Sequence, residues 1–453
     1  MKYLSLLFVS LFAATVVCGK EFDAGAFLQK NCPQWNKKAP EIKFPAKVKK
    51  AELDRRLNVF KKQLAKFAPH ILKEFAQVDK SFKWQPDTYA KMMLFGFKKP
   101  KSTHECTSWI IMPDLLENRS MIVHKNRDSL SRDLNLIRVA VPGKKAWISL
   151  GNRGYITANM GFNEDGLAVM MNNGGWTKYN NVTGFGTTLQ CRILLESCST
   201  AASAVKLLKE MISAGAYLHS KSGSIWFIGD SRQAFIVEHN AKNISVQEIK
   251  SGFAVRANSC HSPELVVDCT QSVHVIIDNL RRERAIWKTI IANDFQKNGK
   301  VSLPTVFAAS RSREVDGGTD RVYPPFGKAT NSASTFVLDR EFPADLSTAY
   351  FACGPQRHTV YIPCPVTLKV IPEALLHGKF IDAVFARSNK KGLDAPVDEF
   401  IALEKILLAN HNAAVEKARK ILRAKGANAR AEAAAVLNDS FVKNWNIVNK
   451  QSK

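Results

Sequence analysis

The chain has 453 residues, 45% of them hydrophobic and 23% charged, and its 65 Lys and Arg against 40 Asp and Glu give a formal net charge of +25. That composition excludes collagen-like, low-complexity and wholly disordered chains. The excess charge belongs to the ends: residues 20–105 carry 20 basic and 9 acidic side chains, and residues 387–453 carry 13 and 7. With no zinc-finger spacing and no Arg/aromatic repeat, nucleic-acid binding is not expected as the main role.

In chain order, Lys2 is followed by an apolar run from Leu4 to Val17 and small residues up to Gly19. This is the pattern of a secretory signal peptide over residues 1–19, cut after Gly19. The run is too short for a membrane span, and no later stretch reaches that length. Cys18 invites a lipoprotein reading, but Val17 is a poor residue before a lipidated cysteine. A soluble protein outside the cytosol, secreted or periplasmic, is expected. Sequons at Asn118, Asn181, Asn243 and Asn438 matter only in a eukaryotic host.

Residues 20–105 read as a basic helical pro-segment. Leu53, Leu57, Phe60, Leu64 and Phe67 recur at helical spacing, and Ile71, Leu72 and Phe75 continue it beyond Pro69. From Cys106 the texture changes to short strand-like runs: Ser108–Met112, Ser120–His124, Leu136–Val141, Ala146–Leu150, Gly154–Asn159 and Gly166–Met171. Helices are expected at Thr188–Glu196 and Ala201–Ile212, then strands at Ser224–Gly229, Gln233–His239 and Phe253–Ala257. A helix follows from Val273 to Ile291, with its basic run Arg281, Arg282 and Arg284 expected on the solvated face. Strands return at Ala333–Leu338, Thr348–Ala352 and Thr359–Ile362. Residues 376–453 are Ala-, Lys- and Leu-rich and read as a helical extension. Strands, then helices, then strands argue for an α+β layered core over 106–375.

Nine cysteines are present; Cys18 would leave with the signal. Cys260/Cys269 and Cys353/Cys364 are close enough in sequence for local bridges. Cys191 and Cys198 lie two turns apart on one helix, about 10 Å, too far to pair, and read as buried apolar residues. No C-x-x-C pair suggests zinc or thioredoxin chemistry. Gly317-Gly318 is a lone turn, and no phosphate-loop signature occurs.

The chemistry-bearing stretch is HECTSWIIMPDLLENRSMIVHKNRD, where a Cys-Thr pair opens one strand and KNRD closes the next. This resembles the Cys-type N-terminal-nucleophile (Ntn) hydrolases, most closely the isopenicillin-N acyltransferase family, with bile-salt hydrolase and acid ceramidase groups more distant. MGFNEDGLAVMMNNGG, QCRILLESCSTAASAVKLL, SIWFIGDSRQAFIVEHN, FAVRANSCHSPEL, and FAASR with ATNSASTFVLD resemble further family segments in the same order, from 106 to about 365. The resemblance implies a four-layer αββα sandwich and a self-processing amidohydrolase or acyltransferase. It implies a small-molecule amide substrate and no metal or organic cofactor.

The implied chemistry explains the residues. Self-scission before Cys106 frees an α-amine of pKa about 7.7–8.0, able to take the proton of a thiol of pKa about 8.5. Cys106 is thus the expected nucleophile. Asp128 is the expected orienter of the amine. Asn173 is the expected oxyanion donor, with Asn172 on the other strand face and Asn258 as a second donor. Arg311 matches the family's late Arg, with Arg313 and Arg321 as alternatives, and would bind a substrate carboxylate or the Cys–Asp network. Lys125 stands where Arg often stands and Arg127 at a variable position; which faces the site is open. His261 replaces a family His or lies on a surface loop, and His104 would leave with the pro-segment. A papain-like arrangement fails because Trp109 is three residues past Cys106. The rival readings are a dipeptidase or bile-salt-type cysteine hydrolase on the same scaffold, and a non-catalytic cationic binding protein.

Overall fold

The computed structural model describes residues 22–96, 105–117, 120–218, 221–313 and 325–450. The expected signal peptide, His104, Asn118, Gly317-Gly318 and Arg321 lie outside the described residues. Four helices come first: α1 (Ala24–Asn31), α2 (Lys50–Phe67), α3 (Pro69–Ser81) and α4 (Thr88–Phe95). The break between α2 and α3 falls at Pro69, whose missing N–H costs nothing in a first helical turn.

Strands β1 (Glu105–Ile111), β2 (Met121–Asp128), β3 (Leu134–Val139), β4 (Trp147–Asn152), β5 (Met160–Asn163) and β6 (Ala168–Trp176) follow. Helices α5 (Thr187–Ser197) and α6 (Ala201–Ser213) separate them from β7 (Ser222–Gly229), β8 (Ala234–His239), β9 (Ile244–Glu248) and β10 (Phe253–Arg256). Then come α7 (Pro263–Val266), α8 (Val273–Trp287), a π-helical stretch Lys288–Phe295, α9 (Gln296–Asn298) and α10 (Leu303–Ser310). The chain ends with β11 (Thr330–Leu338), α11 (Pro343–Leu346), β12 (Thr348–Ala352), β13 (Tyr361–Pro365), α12 (Glu373–Leu376), α13 (Lys379–Lys391), α14 (Asp398–Lys425) and α15 (Arg430–Lys450).

The strands form two antiparallel sheets, ordered β10-β1-β2-β11-β12-β13 and β3-β4-β5-β6-β7-β8-β9. Strand alternation sets what lies between them. Ile110, Val123, Phe336 and Phe351 of the first sheet meet Leu136, Ile148, Met170 and Phe227 of the second in one apolar layer. The opposite face of the first sheet packs Trp109, Ile111 and Ile122 on Ile286, Ile290 and Val306 of the 273–310 helices. The opposite face of the second packs Trp147, Val169 and Trp226 under α5, α6 and the N-terminal helices. The result is helix, sheet, sheet, helix, as the resemblance implies. Each fully buried large apolar side chain contributes about 1.5–3 kcal/mol relative to exposure.

The N-terminal helices are tied to this core by a buried charge cluster. Arg192 of α5 donates twice to Glu74 of α3, at 2.7 and 2.6 Å, and once to Glu196 at 2.8 Å. His70 of α3 reaches the other Glu196 oxygen at 2.8 Å. Burial works against the Glu196 charge, yet Arg192 and His70 hold its carboxyl down at about 2.

Three sequence expectations are corrected. Residues Gly154–Asn159 are irregular rather than a strand. Their carbonyls serve side chains instead: Gly154 accepts from Tyr89 Oη at 3.0 Å and Ile156 from Arg192 at 2.9 Å. Gly154 also sits at φ +87°, with Trp35 where a Cβ would stand. Cys260, Cys269, Cys353 and Cys364 are free thiols. Cys260 instead lies 3.5 Å from the Gly174 carbonyl, while Cys353 and Cys364 fill the layer between the sheets. Strand β9 was not anticipated because it is a largely polar, exposed sheet edge.

Among the described residues no helix is long and apolar enough to cross a membrane.

Candidate active site

Cys106 lies in β1, one residue from its start, with β10 on one side and β2 on the other. In the antiparallel pairing Cys106 stands opposite Arg127, and Ser108 opposite Lys125. Directly paired residues share a sheet face. Cys106, Arg127 and Lys125 therefore point between the sheets, with Ile110 and Val123 further along the same face. The KNRD segment splits by parity: Lys125 and Arg127 go with Cys106, while Asn126 and Asp128 face the helical layer. The question left open by the sequence has the answer that both cations flank Cys106.

Lys125 is buried, donates to the Met171 carbonyl and reaches the Cys106 thiol. Burial lowers its pKa, and the neighbouring thiol works in the opposite direction. Arg127 is 6% exposed, and burial brings its pKa down to about 10. Its Nη2 donates to Asn152 Oδ1 of β4 at 2.9 Å.

On the backbone side, the Cys106 N–H donates to Asn258 Oδ1 at 2.7 Å. Asn258 Nδ2 donates to the Asn173 carbonyl at 2.8 Å. Asn258 is thus an acceptor for the Cys106 nitrogen rather than the expected oxyanion donor. Its orientation is fixed by Arg282, whose Nη2 donates to the same Oδ1 at 3.1 Å. Arg282 Nη1 donates to the Cys106 carbonyl at 3.3 Å and stands 3.6 Å from Asp128 Oδ2. The other Asp128 oxygen accepts from Thr330 Oγ1 at 2.6 Å.

Arg282 is a correction. Expected on the solvated face of its helix, it is 1% exposed and aimed at the start of β1. Helical periodicity carries the missed signal: Asn279, Arg282 and Glu283 share the i, i+3, i+4 stripe that packs on the sheet. Its neighbour Glu283 accepts from the Ala257 N–H at 2.7 Å and pairs with His261 at 3.1 Å, which places His261 outside the Cys106 cluster.

The asparagine pair divides otherwise than its roles were assigned. Asn172 is the one facing between the sheets. Its amide is fully engaged, accepting from Ser108 Oγ at 2.7 Å and donating to the Arg256 and Ala257 carbonyls at 3.1 Å. Asn173 joins the cluster through its main-chain carbonyl, and its Oδ1 accepts from Gly175 N at 2.9 Å. The glycines after it are required. A Cβ on Gly174 would fall 2.9 Å from Ser224 N, and Gly175 takes φ +82° against the Gln271 side chain.

Arg311 is the second correction. It lies away from Cys106, with its guanidinium paired to Glu404 of α14 at 2.8 and 2.5 Å and to the Gln356 and Thr359 carbonyls. A guanidinium so committed has no fork left for a substrate. Arg313 pairs with Asp394 at 2.8 Å near the surface. No group of three or more metal-ligating side chains occurs among the described residues.

Cys106 is 6% exposed in the joined chain. Two surface depressions, of about 530 and 410 Å³, are lined by residues 202–235 and 143–197 and include none of the cluster.

Comparison with known proteins adds the following. Residues 115–282 match the family described as acyl-coenzyme A:6-aminopenicillanic acid acyl-transferase, a stretch that begins after Cys106 and ends at Arg282. No curated protein matches the sequence. Among solved structures, a mutant conjugated bile acid hydrolase from Clostridium perfringens is similar at 14% identity and TM-score 0.37, over 54% of this chain and 88% of that one. A Caenorhabditis elegans N-acylethanolamine-hydrolyzing acid amidase ortholog is similar at 11% identity and TM-score 0.34, over 53% and 98%. Over residues 115–282, then, the chain is similar to the acyl-coenzyme A:6-aminopenicillanic acid acyl-transferase family.

Proposed function

We propose that this protein is a secreted, self-processing cysteine amidohydrolase or acyltransferase whose nucleophile is Cys106. The observation that carries the reading is the pair of contacts at one residue: Lys125 at the Cys106 thiol and Asn258 on the Cys106 nitrogen. In the joined chain the thiol attacks the Glu105 carbonyl carbon, and the C–N bond breaks as the nitrogen takes a proton. Water then hydrolyses the resulting thioester, releasing a Glu105 carboxylate and leaving Cys106 with a free α-amine.

In turnover that amine takes the thiol proton, and the thiolate attacks a small-molecule amide. The amine leaving group departs with the proton from the Cys106 ammonium. Water then releases the acyl group, or a second amine takes it. Arg282 and Lys125 disfavour a further positive charge nearby, which keeps the α-amine in its basic form. Asn258 Oδ1 orients it. The Nδ2 groups of Asn172 and Asn258 are engaged by main-chain carbonyls and Asn173 meets Asn258 through its main chain, so this reading assigns the oxyanion to none of these three side chains. Hydrolysis is favoured over transfer because an extracellular site has abundant water.

The test is intact-mass and N-terminal analysis of wild type and Cys106→Ala. A chain beginning at Cys106 is expected in the wild type alone. A preparation that turns over amides while still joined at Glu105–Cys106 would overturn the mechanism.

A further inference from the structure

The main chain of Cys106 is held at both ends, its N–H by Asn258 and its carbonyl by Arg282. Those two side chains belong to one ring of hydrogen bonds. Arg282 Nη2 donates to Asn279 Oδ1, and Asn279 Nδ2 donates to Ser259 Oγ at 2.6 Å. Ser259 Oγ donates to Gln271 Oε1 at 2.9 Å, and Gln271 Nε2 donates to the Asn258 carbonyl at 3.0 Å. Arg282 Nη2 closes the ring on Asn258 Oδ1 at 3.1 Å. Asn258, Ser259, Asn279 and Arg282 are buried, and Gln271 is the partly exposed member.

From Arg282 to Gln271 every donor points the same way, and the reason is Arg282 itself. A guanidinium offers donors and no acceptor. Asn279 must therefore turn its oxygen to Arg282 and its nitrogen to Ser259. The Ser259 hydroxyl, having accepted, gives its one proton to Gln271. That leaves Gln271 with its nitrogen toward the Asn258 carbonyl. Hydrogen bonds aligned head to tail polarise and strengthen one another.

Gln271 is pinned in this place by the end of β6. The Thr270 N–H donates to the Trp176 carbonyl at 2.9 Å, and Cys269 forms an antiparallel bridge with Thr177. The Gln271 amide fills the space over Gly175, where a Cβ would fall 2.3 Å from its Cδ and Oε1, so glycine is required there to admit it. The Asn258 side chain is held from the same strand, through the Asn173 carbonyl at 2.8 Å. We infer that Gln271 is a positioning residue for the Cys106 nitrogen, acting through Asn258; the inference rests on the reading of Cys106 as the nucleophile. Its own side-chain hydrogen bonds go to Ser259, Asn258 and Cys269, not to Cys106. By holding the Asn258 main chain it sets where Oδ1 meets the Cys106 N–H.

The experiment uses the full chain and two readouts. One is the rate of scission before Cys106 in refolded precursor, followed by mass. The other is amide hydrogen exchange at residue 106 in a Cys106→Ala background, which stays joined. Gln271→Met keeps the length and removes both the donor and the acceptor. Gln271→Glu keeps the shape and the acceptor and loses the donor to Asn258. Each should slow scission by roughly 10-fold and speed exchange at residue 106 by a similar factor, the usual size of one such hydrogen bond. In an Asn258→Leu background Gln271→Met should bring no further loss of scission, because its route is through Asn258. Wild-type scission and exchange in Gln271→Glu would reduce Gln271 to a filler of the space over Gly175 and overturn the inference. A loss in Gln271→Met that multiplies undiminished with that of Asn258→Leu overturns it as well. Where Gln271→Met does not fold, the isosteric Gln271→Glu decides. If the wild type never cuts before Cys106, the nucleophile reading fails, and exchange at residue 106 then decides by itself whether Gln271 positions that nitrogen.

Discussion

Asn258 Oδ1 receives two hydrogen bonds at once, from the Cys106 N–H at 2.7 Å and from Arg282 Nη2 at 3.1 Å. The second fixes the amide so that oxygen, not nitrogen, faces the Cys106 N–H. Asn258 is therefore a holder of the α-nitrogen. Asn258→Leu removes the acceptor at similar size. Scission before Cys106 should slow by roughly 100-fold, in the range expected when an orienting group for a catalytic base is lost. A mass time course on refolded precursor measures it; scission at the wild-type rate would show that Asn258 does not hold the nitrogen.

Arg282 bridges more partners than any single acceptor needs: the Cys106 carbonyl, Asn258, Asn279 and Asp128. Removing it takes the neighbouring cation from the buried Asp128 carboxylate, which keeps the Thr330 hydroxyl. Arg282→Met should cost about 3–5 kcal/mol in unfolding free energy, the usual penalty for breaking a buried pair from one side. It should also slow scission. Pairing it with Asp128→Asn should recover part of the stability, because the stranded charge is then gone; chemical denaturation of the single and double variants decides this.

The Glu74–Arg192–Glu196–His70 cluster gives a pH dependence with a definite sign. The folded Glu196 carboxyl is held at about 2 against an ordinary 4.5, so its contribution is complete above about pH 4.5. It is lost as the pH falls toward 2. Glu196→Gln should thus be less stable than wild type at pH 6, by on the order of 2–3 kcal/mol, with the gap closing by pH 2. Urea midpoints across that range test it. A constant gap would mean the carboxylate charge contributes nothing.

The Arg311–Glu404 pair joins α10 to the C-terminal helices, and Glu404 also accepts from the Tyr361 N–H at 2.7 Å. Arg311→Met should lower stability by about 3–5 kcal/mol through the orphaned Glu404. Thiol labelling of Cys106 in the folded fraction should not change. A selective loss of Cys106 reactivity in fully folded protein would return Arg311 to the active site.

The proposed cleavage before Cys106 should leave the helices of residues 22–96 in place. Phe60, Leu64, Ile71, Phe75 and Tyr89 are buried in the same core as Trp147 and Trp226. The two pieces should co-elute in native size exclusion and separate only in denaturant.

Much of this was legible in the sequence because it rests on local periodicity. The α2–α3 break at Pro69, β1 and β2, the α5–α6 pair and the helical C-terminus follow from spacing and turn residues. So does Cys106 at the head of a strand, beside a second strand ending in Asp128. Irregular 154–159 was misread because its pattern fits a strand, while its carbonyls are captured by Tyr89 and Arg192 from distant segments.

The sequence by itself determined the layered α+β class and the placing of Cys106 and the KNRD segment on neighbouring strands, since strand alternation and order along the chain need no partner. Only the tertiary structure decided that Lys125 and Arg127 share a face with Cys106, that Arg282 rather than Arg311 reaches the site, and that Asn258 accepts rather than donates. Those outcomes depend on strand register and on which helix packs across which sheet. Hydrogen-bond direction and charge pairing between residues some 170 positions apart, such as Cys106 and Arg282, are set by that packing and leave no local trace.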